Sequence, residues 1–235
     1  MNCVLLKMGG SGVRFGASVP KQFYEINGEP LFAYVLRKYE TIKCIDKFII
    51  VTNSEWGEIT NLYATKILGK KLLGIVSGGK TNIESTYNGV MYAAKFLTDS
   101  DYLLVHDVTD PIINEKAIRE VITAAQKDGC AAVVTEQVHT LYTKNAEGYI
   151  TGTIKKDCVG SGYSPEAFQY SIIKDCFNKA KDGDFFIKTS AMEVVQSKGI
   201  HPKVVVSHQV DLKITYQEDM EALLLMIENG ERLYN

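Results

Sequence analysis

The sequence predicts an α/β protein, a Rossmann-like three-layer arrangement in which a mainly parallel, twisted sheet is covered by helices on both faces. Three observations lead there. From residue 3 to residue 135, apolar runs of strand length alternate with segments whose apolar residues recur at helical spacing. The chain has 235 residues, 46% of them apolar, enough for one sizeable core. A glycine-rich turn, Met8-Gly9-Gly10-Ser11-Gly12-Val13-Arg14-Phe15-Gly16, directly follows the first apolar run. That is where open parallel sheets bind ligands.

Residues 3–6 read as a short buried strand. Leu31, Phe32, Val35 and Leu36 give residues 30–39 a helical period, with Pro30 suited to the first turn. Residues 48–52 form the next strand, 56–68 a helix, and 72–76 a strand that ends at Ser77-Gly78-Gly79. A helix over 82–97 follows, then a strand at 102–105 that delivers His106 and Asp107, a helix over 115–127 and a strand at 131–135. The alternation then breaks. Residues 138–142 and 149–154, joined by Asn145-Ala146-Glu147-Gly148, read as a β-hairpin that stands away from the sheet as an arm spanning roughly 137–160. An isolated two-stranded ribbon is marginal in water, so the arm is expected to pack on a second copy of the chain. The chain returns through Ser164-Pro165 and a strand at 168–170, with helices over 172–181 and 189–198, a strand at 204–206 and a last helix over 217–228. One domain, residues 1–235, is expected.

Charge and cysteine content exclude several function classes. A formal net charge of −2 without a basic block argues against nucleic acid or an anionic membrane as the main partner. No charged lead, long apolar segment or small-residue cleavage site precedes the first strand, so a cytoplasmic location is expected. Cys3, Cys44, Cys130, Cys158 and Cys176 are odd in number and scattered, which suits reduced thiols, with Cys3 and Cys130 as strand packing.

The glycine turn carries the first functional signal. Glycines sacrifice backbone entropy and pack nothing, so their concentration here serves close approach of a ligand to bare N–H groups. Arg14 and Lys21 project from the same region, and many donors with fixed positive charge suit a triphosphate. Two known phosphate loops fail on spacing. Gly16 is followed by Ala17-Ser18 rather than Lys-Ser/Thr, and Phe15 stands where a dinucleotide fingerprint needs its third glycine, with Pro20 interrupting any helix.

Gly10-Ser11-Gly12-Val13-Arg14 followed by Pro20-Lys21-Gln22-Phe23 instead resembles the signature loop of cytidylyltransferases acting on methylerythritol phosphate and ribitol phosphate. The resemblance runs over nearly the whole chain. It implies a nucleotide-diphospho-sugar transferase type of fold and transfer of CMP from CTP to a polyol phosphate. It further implies Arg14, Lys21 and Lys213 as catalytic cations and Met8, Gly9, Gly10, Gly12, Gly79, Ser85 and Val108 as nucleotide contacts. Asp107 would anchor Mg2+, which prefers one or two carboxylates plus phosphate oxygens. His106 is left as packing or support. Lys156, Thr140 and Asp110 fall on acceptor-side positions, and the arm implies a homodimer.

Departures cluster on that side. Asp110 stands where the family pattern has an arginine, Asn82 replaces another arginine, and Phe186-Ile187-Lys188 replaces an acidic stretch. The acceptor is therefore expected to be a ribitol, glycerol or methylerythritol type of phosphate, with ribitol or glycerol phosphate for a surface polysaccharide preferred. A catalytically altered nucleotide-binding relative, or a nucleotidyltransferase for another sugar phosphate, is the alternative. A dinucleotide-linked oxidoreductase is disfavoured by the missing glycine spacing.

Overall fold

Cys3, Val4, Leu5 and Leu6 are all fully buried, so the strand they form, β1 (Asn2–Met8), has no solvent face and must lie inside a sheet covered on both sides. The computed structural model describes residues 1–8, 15, 19–180, 188–208, 210 and 212–229. After β1 come the two-residue strands β2 (Glu25–Ile26) and β3 (Glu29–Pro30), then α1 (Leu31–Glu40) and β4 (Lys47–Thr52). Next are α2 (Gly57–Leu68), β5 (Leu72–Ser77), α3 (Asn82–Ala93), β6 (Tyr102–Asp107), α4 (Glu115–Asp128) and β7 (Cys130–Glu136). The hairpin strands are β8 (Leu141–Lys144) and β9 (Ile150–Ile154). The chain ends with β10 (Gly160–Gln169), α5 (Tyr170–Ala180), α6 (Ala191–Gln196), β11 (Lys203–Val206) and α7 (Gln217–Glu228).

The central sheet has the order β11-β7-β10-β6-β1-β4-β5. Every neighbouring pair is parallel except the two made by β10, which is inserted antiparallel between β6 and β7. Side chains alternate across a strand, and the core divides accordingly. Val4, Leu6, Phe48, Ile50 and Leu104 face one layer, with Leu36 of α1, Ala64 of α2 and Val121 of α4. Cys3, Leu5, Ile49, Val51, Leu103 and Val105 face the other, with Val90 of α3, Phe177 of α5 and Val194 of α6. A third, smaller cluster joins Phe15, Ile26, Leu31, Ile214, Met220 and Leu223, and so packs α7 onto the beginning of α1. Burying each such side chain contributes ~1.5–3 kcal/mol.

The structure corrects several expected boundaries. The strand expected at 168–170 is the end of the ten-residue β10, and Tyr170 opens α5. β10 begins with Gly160, Ser161 and Gly162, which give no apolar signal; the ladder to β7 holds this beginning, and β6 joins only from Glu166 on. Its register to β7 shifts between Tyr163 and Glu166, around Pro165, which has no N–H to give. α3 stops at Ala93 rather than 97. The Asp101 carboxylate accepts from the Thr98 N–H at 2.6 Å and from the N-terminal ammonium at 2.7 Å, and so fixes the turn into β6. α6 covers only Ala191–Gln196, because the Ser190 hydroxyl accepts from the Glu193 N–H and caps the helix there. Pro30 precedes α1 instead of occupying its first turn. Among the described residues, no helix is long and apolar enough to cross a membrane.

Candidate active site

The carboxyl ends of β1 and β6 lie side by side, with Lys7 in register with Asp107. Both share the face of Cys3, Leu5, Leu103 and Val105, and Glu166 of β10, paired with Val105, joins them. Lys7 is only 8% exposed. Its ammonium lies 3.0 Å from Asp107 Oδ1 and donates to Asn82 Oδ1 in the first turn of α3 at 2.6 Å. Lys213 reaches the same carboxylate from the opposite side, 3.4 Å from Oδ2, and lies 3.0 Å from Asp110 Oδ1. The other Asp110 oxygen accepts from the Ser164 hydroxyl at 2.7 Å, and that hydroxyl accepts from the Asp107 N–H at 3.0 Å. Two lysines and two aspartates, drawn from three distant stretches of sequence, thus form one ionic cluster.

Burial alone would raise the Asp107 carboxyl, but Lys7 and Lys213 overcome it and hold the group well below the usual carboxylate range. Asp107 is ionised at any physiological pH. Glu166 shows the opposite balance. Burial pushes its carboxyl up to about 7, Lys7 opposing and Asp107 adding to the rise. His106, buried beneath the cluster, is pushed down to about 4 by desolvation, with Asp110 pulling the other way. Its Nε2 must donate to the Asp110 carbonyl at 3.0 Å, since a carbonyl can only accept, so Nδ1 accepts from the Tyr39 hydroxyl at 2.9 Å. His106 is a neutral support for the 107–110 turn, as expected.

Lys21 is delivered by a single 3-10 turn, Lys21–Phe23. The turn is anchored by Gln22, which is buried and donates to the Met8 carbonyl at 2.8 Å, and by Phe23, whose ring stacks on Trp56 at 4.4 Å. The Lys21 ammonium donates to the Ile214 carbonyl, and the Ile214 N–H donates to the Thr109 carbonyl at 2.7 Å. The Lys213 segment is therefore pinned between the Lys21 turn and the end of β6. Val108, fully buried, continues the β1–β6 ladder through its N–H to the Lys7 carbonyl. Arg14, Gly9, Gly10 and Gly12 lie outside the described residues, as do Asp211 and Phe186.

The second half of the site lies at the ends of β4 and β5. Asn53, Ser54, Ser77, Gly78, Gly79, Lys80 and Glu84 line a cleft of about 350 Å³. The Gly78 N–H donates to the Thr52 carbonyl, and the Gly79 N–H donates to the Ser85 hydroxyl at 3.0 Å. That hydroxyl donates in turn to the Thr81 carbonyl at 3.0 Å. Ser85 thus shapes the glycine turn from within. Gly79 must be glycine for a packing reason too: a Cβ there would lie 2.2 Å from that of Glu84. Glu84 is fixed because it closes a capping box with Thr81.

Thr140 and Lys156 stand apart, both exposed at the root of the hairpin, where the Lys156 ammonium donates to the Val138 carbonyl at 3.2 Å. Asp110 is buried within the ionic cluster, its carboxylate already engaged by Ser164 and Lys213. Lys7 is the residue that sequence reasoning passed over. Its signal was present: it continues the row Cys3, Leu5 on a strand apolar on both faces, and a charge at such a place has to be paired.

Asp107 Oδ2 fits a magnesium ion, because among the described residues the cation that approaches it is the half-exposed Lys213, at 3.4 Å. Among the described residues no group of three or more His, Cys, Asp or Glu side chains could hold a metal alone. An ion at Asp107 would have to complete its shell with substrate oxygens and water, as magnesium commonly does.

The comparisons with known proteins are consistent in kind. The model of the family described as IspD, 2-C-methyl-D-erythritol 4-phosphate cytidylyltransferase, matches residues 2–228. The protein of that name from Thermotoga neapolitana is 31% identical over 99% of this chain and 100% of its own length. That from Clostridium botulinum is 30% identical over 93% of this chain and 94% of its own length. Among solved structures, the 4-diphosphocytidyl-2C-methyl-D-erythritol synthase of Anaerococcus prevotii superposes with a TM-score of 0.81 at 22% identity, covering 97% of this chain and 96% of that one.

Proposed function

The chain belongs to the 2-C-methyl-D-erythritol 4-phosphate cytidylyltransferase family, and on that premise we propose that it transfers CMP from CTP to a polyol phosphate and releases pyrophosphate. The observation that carries this reading is the convergence of Lys21, Lys213 and Asp107 at the strand ends, beside a glycine-walled cleft. Cytosine would lie against Gly78 and Gly79, near Ser85, with the triphosphate running toward Met8 and the glycine turn. A phosphate oxygen of the acceptor attacks the α-phosphorus of CTP, the bond to the β-phosphate oxygen breaks, and pyrophosphate departs. Two polyanions repel each other, so the site works by aligning them and concentrating positive charge. Lys21 and Arg14 hold the triphosphate, and Lys213 exchanges its aspartate partners for phosphate oxygens. Mg2+ held at Asp107 and the phosphates would supply charge neutralisation across the transferring group. No protein nucleophile is required.

The relatives are named for methylerythritol phosphate, which makes it the first acceptor to test and would place the reaction in isoprenoid biosynthesis. Ribitol and glycerol phosphates are the alternates, because Asp110 puts an acid where the family pattern has an arginine. Thr140 and Lys156 reach an acceptor phosphate in this reading only if the arm crosses to a second copy. Tyr142, Tyr149 and Ile150, 57%, 72% and 66% exposed, supply an apolar surface for that dimer. The chain is read as one domain with this arm. The five free thiols and the use of CTP favour a cytoplasmic setting. The test is a pyrophosphate-release screen of CTP, UTP, ATP and GTP against the three acceptors with magnesium. CTP with one polyol phosphate should dominate; CTP binding without pyrophosphate release from any acceptor would overturn the proposal.

A further inference from the structure

Lys7 takes part in no step of the reaction outlined above, yet it is a buried ammonium in contact with the carboxylate proposed to meet the metal. Its position is over-determined. The backbone is central strand, the ammonium is shared between Asp107 Oδ1 and Asn82 Oδ1, and the apolar row of Cys3 and Leu5 lies behind it. Lys213 contrasts with it: that lysine is 52% exposed, belongs to no helix or strand, and contacts Asp107 at the longer distance of 3.4 Å. Two lysines face two aspartates, so the four-residue cluster carries a formal net charge of zero. A dication arriving there alone would meet a carboxylate that already has an ammonium at each oxygen.

We propose that Lys7 is a positioning residue, a built-in counter-ion that suppresses divalent-cation binding at Asp107 until a nucleotide triphosphate is present. The triphosphate offers the exposed Lys213 a competing anion and offers the metal further oxygens. Metal then enters with nucleotide rather than before it. Because Lys7 also holds Asn82, in the first turn of α3, the residue links the glycine-walled cleft to the carboxylate. This proposal rests on the reading of Asp107 as the metal-meeting residue, and its test separates the two.

The experiment is a Mn2+ titration followed by electron paramagnetic resonance, with and without CTP, on the full chain and on Lys7→Met, Lys7→Arg, Asp107→Asn and the Lys7→Met/Asp107→Asn double variant. Without CTP, Lys7→Met should bind Mn2+ at least tenfold more tightly than the unaltered chain. Lys7→Arg, which keeps the charge, should restore weak binding. The gain should vanish in the double variant. With CTP, the unaltered chain should bind Mn2+ tightly and Lys7→Met should differ from it by less than about threefold. Equal nucleotide-free affinity in Lys7→Met and the unaltered chain, or a gain that survives in the double variant, would overturn the role of Lys7. Asp107→Asn leaving the CTP-dependent binding intact would instead overturn the metal reading, and the counter-ion with it. Circular dichroism of each variant establishes that it is folded.

Discussion

The two halves of the strand-end site are built on opposite principles. At β5 and α3, the amides and hydroxyls of the Gly78–Ser85 segment are tied to one another through short-range bonds and a capping box, and the cleft beside them is already open. At β1 and β6, positive and negative side chains satisfy each other across long sequence separations, and a ligand can bind only by replacing those pairs. In the proposed reaction the first half is preorganised for a neutral base. In that reaction the second receives anions, and the ion pairs that keep its lysines in place also keep them occupied. Such a division suits a reaction whose barrier is dominated by charge: shape is selected at one end, and charge exchange is confined to the other.

The comparison breaks most visibly if the charged half loses a cation. Lys21→Ala should lower pyrophosphate release from CTP by ~10²–10³-fold, the range found when one preorganised charge-stabilising donor is removed, with little change in the unfolding transition. A near-native rate would remove Lys21 from the reaction. Next in size is the charge dependence of the fold itself. Asp107→Asn leaves the buried Lys7 ammonium without its ion-pair partner, beside Asn82 and the more distant Glu166, so urea unfolding should show a loss of ~3 kcal/mol. A loss below ~1 kcal/mol would mean that Lys7 does not depend on Asp107.

Smaller effects sharpen the other half. Ser85→Ala leaves the Gly79 N–H without its hydroxyl acceptor and should cost ~1–2 kcal/mol in stability. It should raise the KM for CTP several-fold while leaving kcat nearly unchanged, because the cleft and not the charge cluster is loosened. A fall in kcat with KM preserved would contradict the division of labour. The smallest expected effect concerns pH. Glu166 titrates at about 7 in the folded chain, against about 4.5 as a free side chain, so the folded state binds the extra proton between those values. Its favourable contribution is complete below pH 4.5 and lost as pH rises through 7. Glu166→Gln should therefore match the unaltered chain at pH 4.5 and exceed it by on the order of 1 kcal/mol at pH 8. Parallel stability curves for the two proteins would show that Glu166 is not so enclosed.

Much of this was readable from the sequence, for identifiable reasons. The layers were legible because β1, β4 and β6 are apolar on both faces, a pattern only a covered parallel sheet produces. β10 was legible only at its apolar end, since its Gly160–Gly162 beginning is specified by its pairing with β7 rather than by its own residues. Asp107 announced itself as a charge ending an apolar strand, Lys21 as fixed positive charge beside the glycine turn, and Lys213 came from the resemblance. The pairing of Lys213 with Asp110 did not, because it depends on the contact of residues 109 and 214, more than a hundred positions apart. Lys7 was overlooked because it reads as the end of a strand; its charge in an apolar row was the signal, and its register with Asp107 and its bond to Asn82 show which site it belongs to.

The most direct test of the central claim is the position of a bound nucleotide. In crystals grown with CTP and magnesium, the base should lie in the Gly78–Gly79 cleft. The triphosphate should come within hydrogen-bond distance of Lys21 and Lys213, and the Lys213–Asp110 pair should be opened. Nucleotide density elsewhere, or phosphates bound with both Lys213 ion pairs intact, would contradict the account.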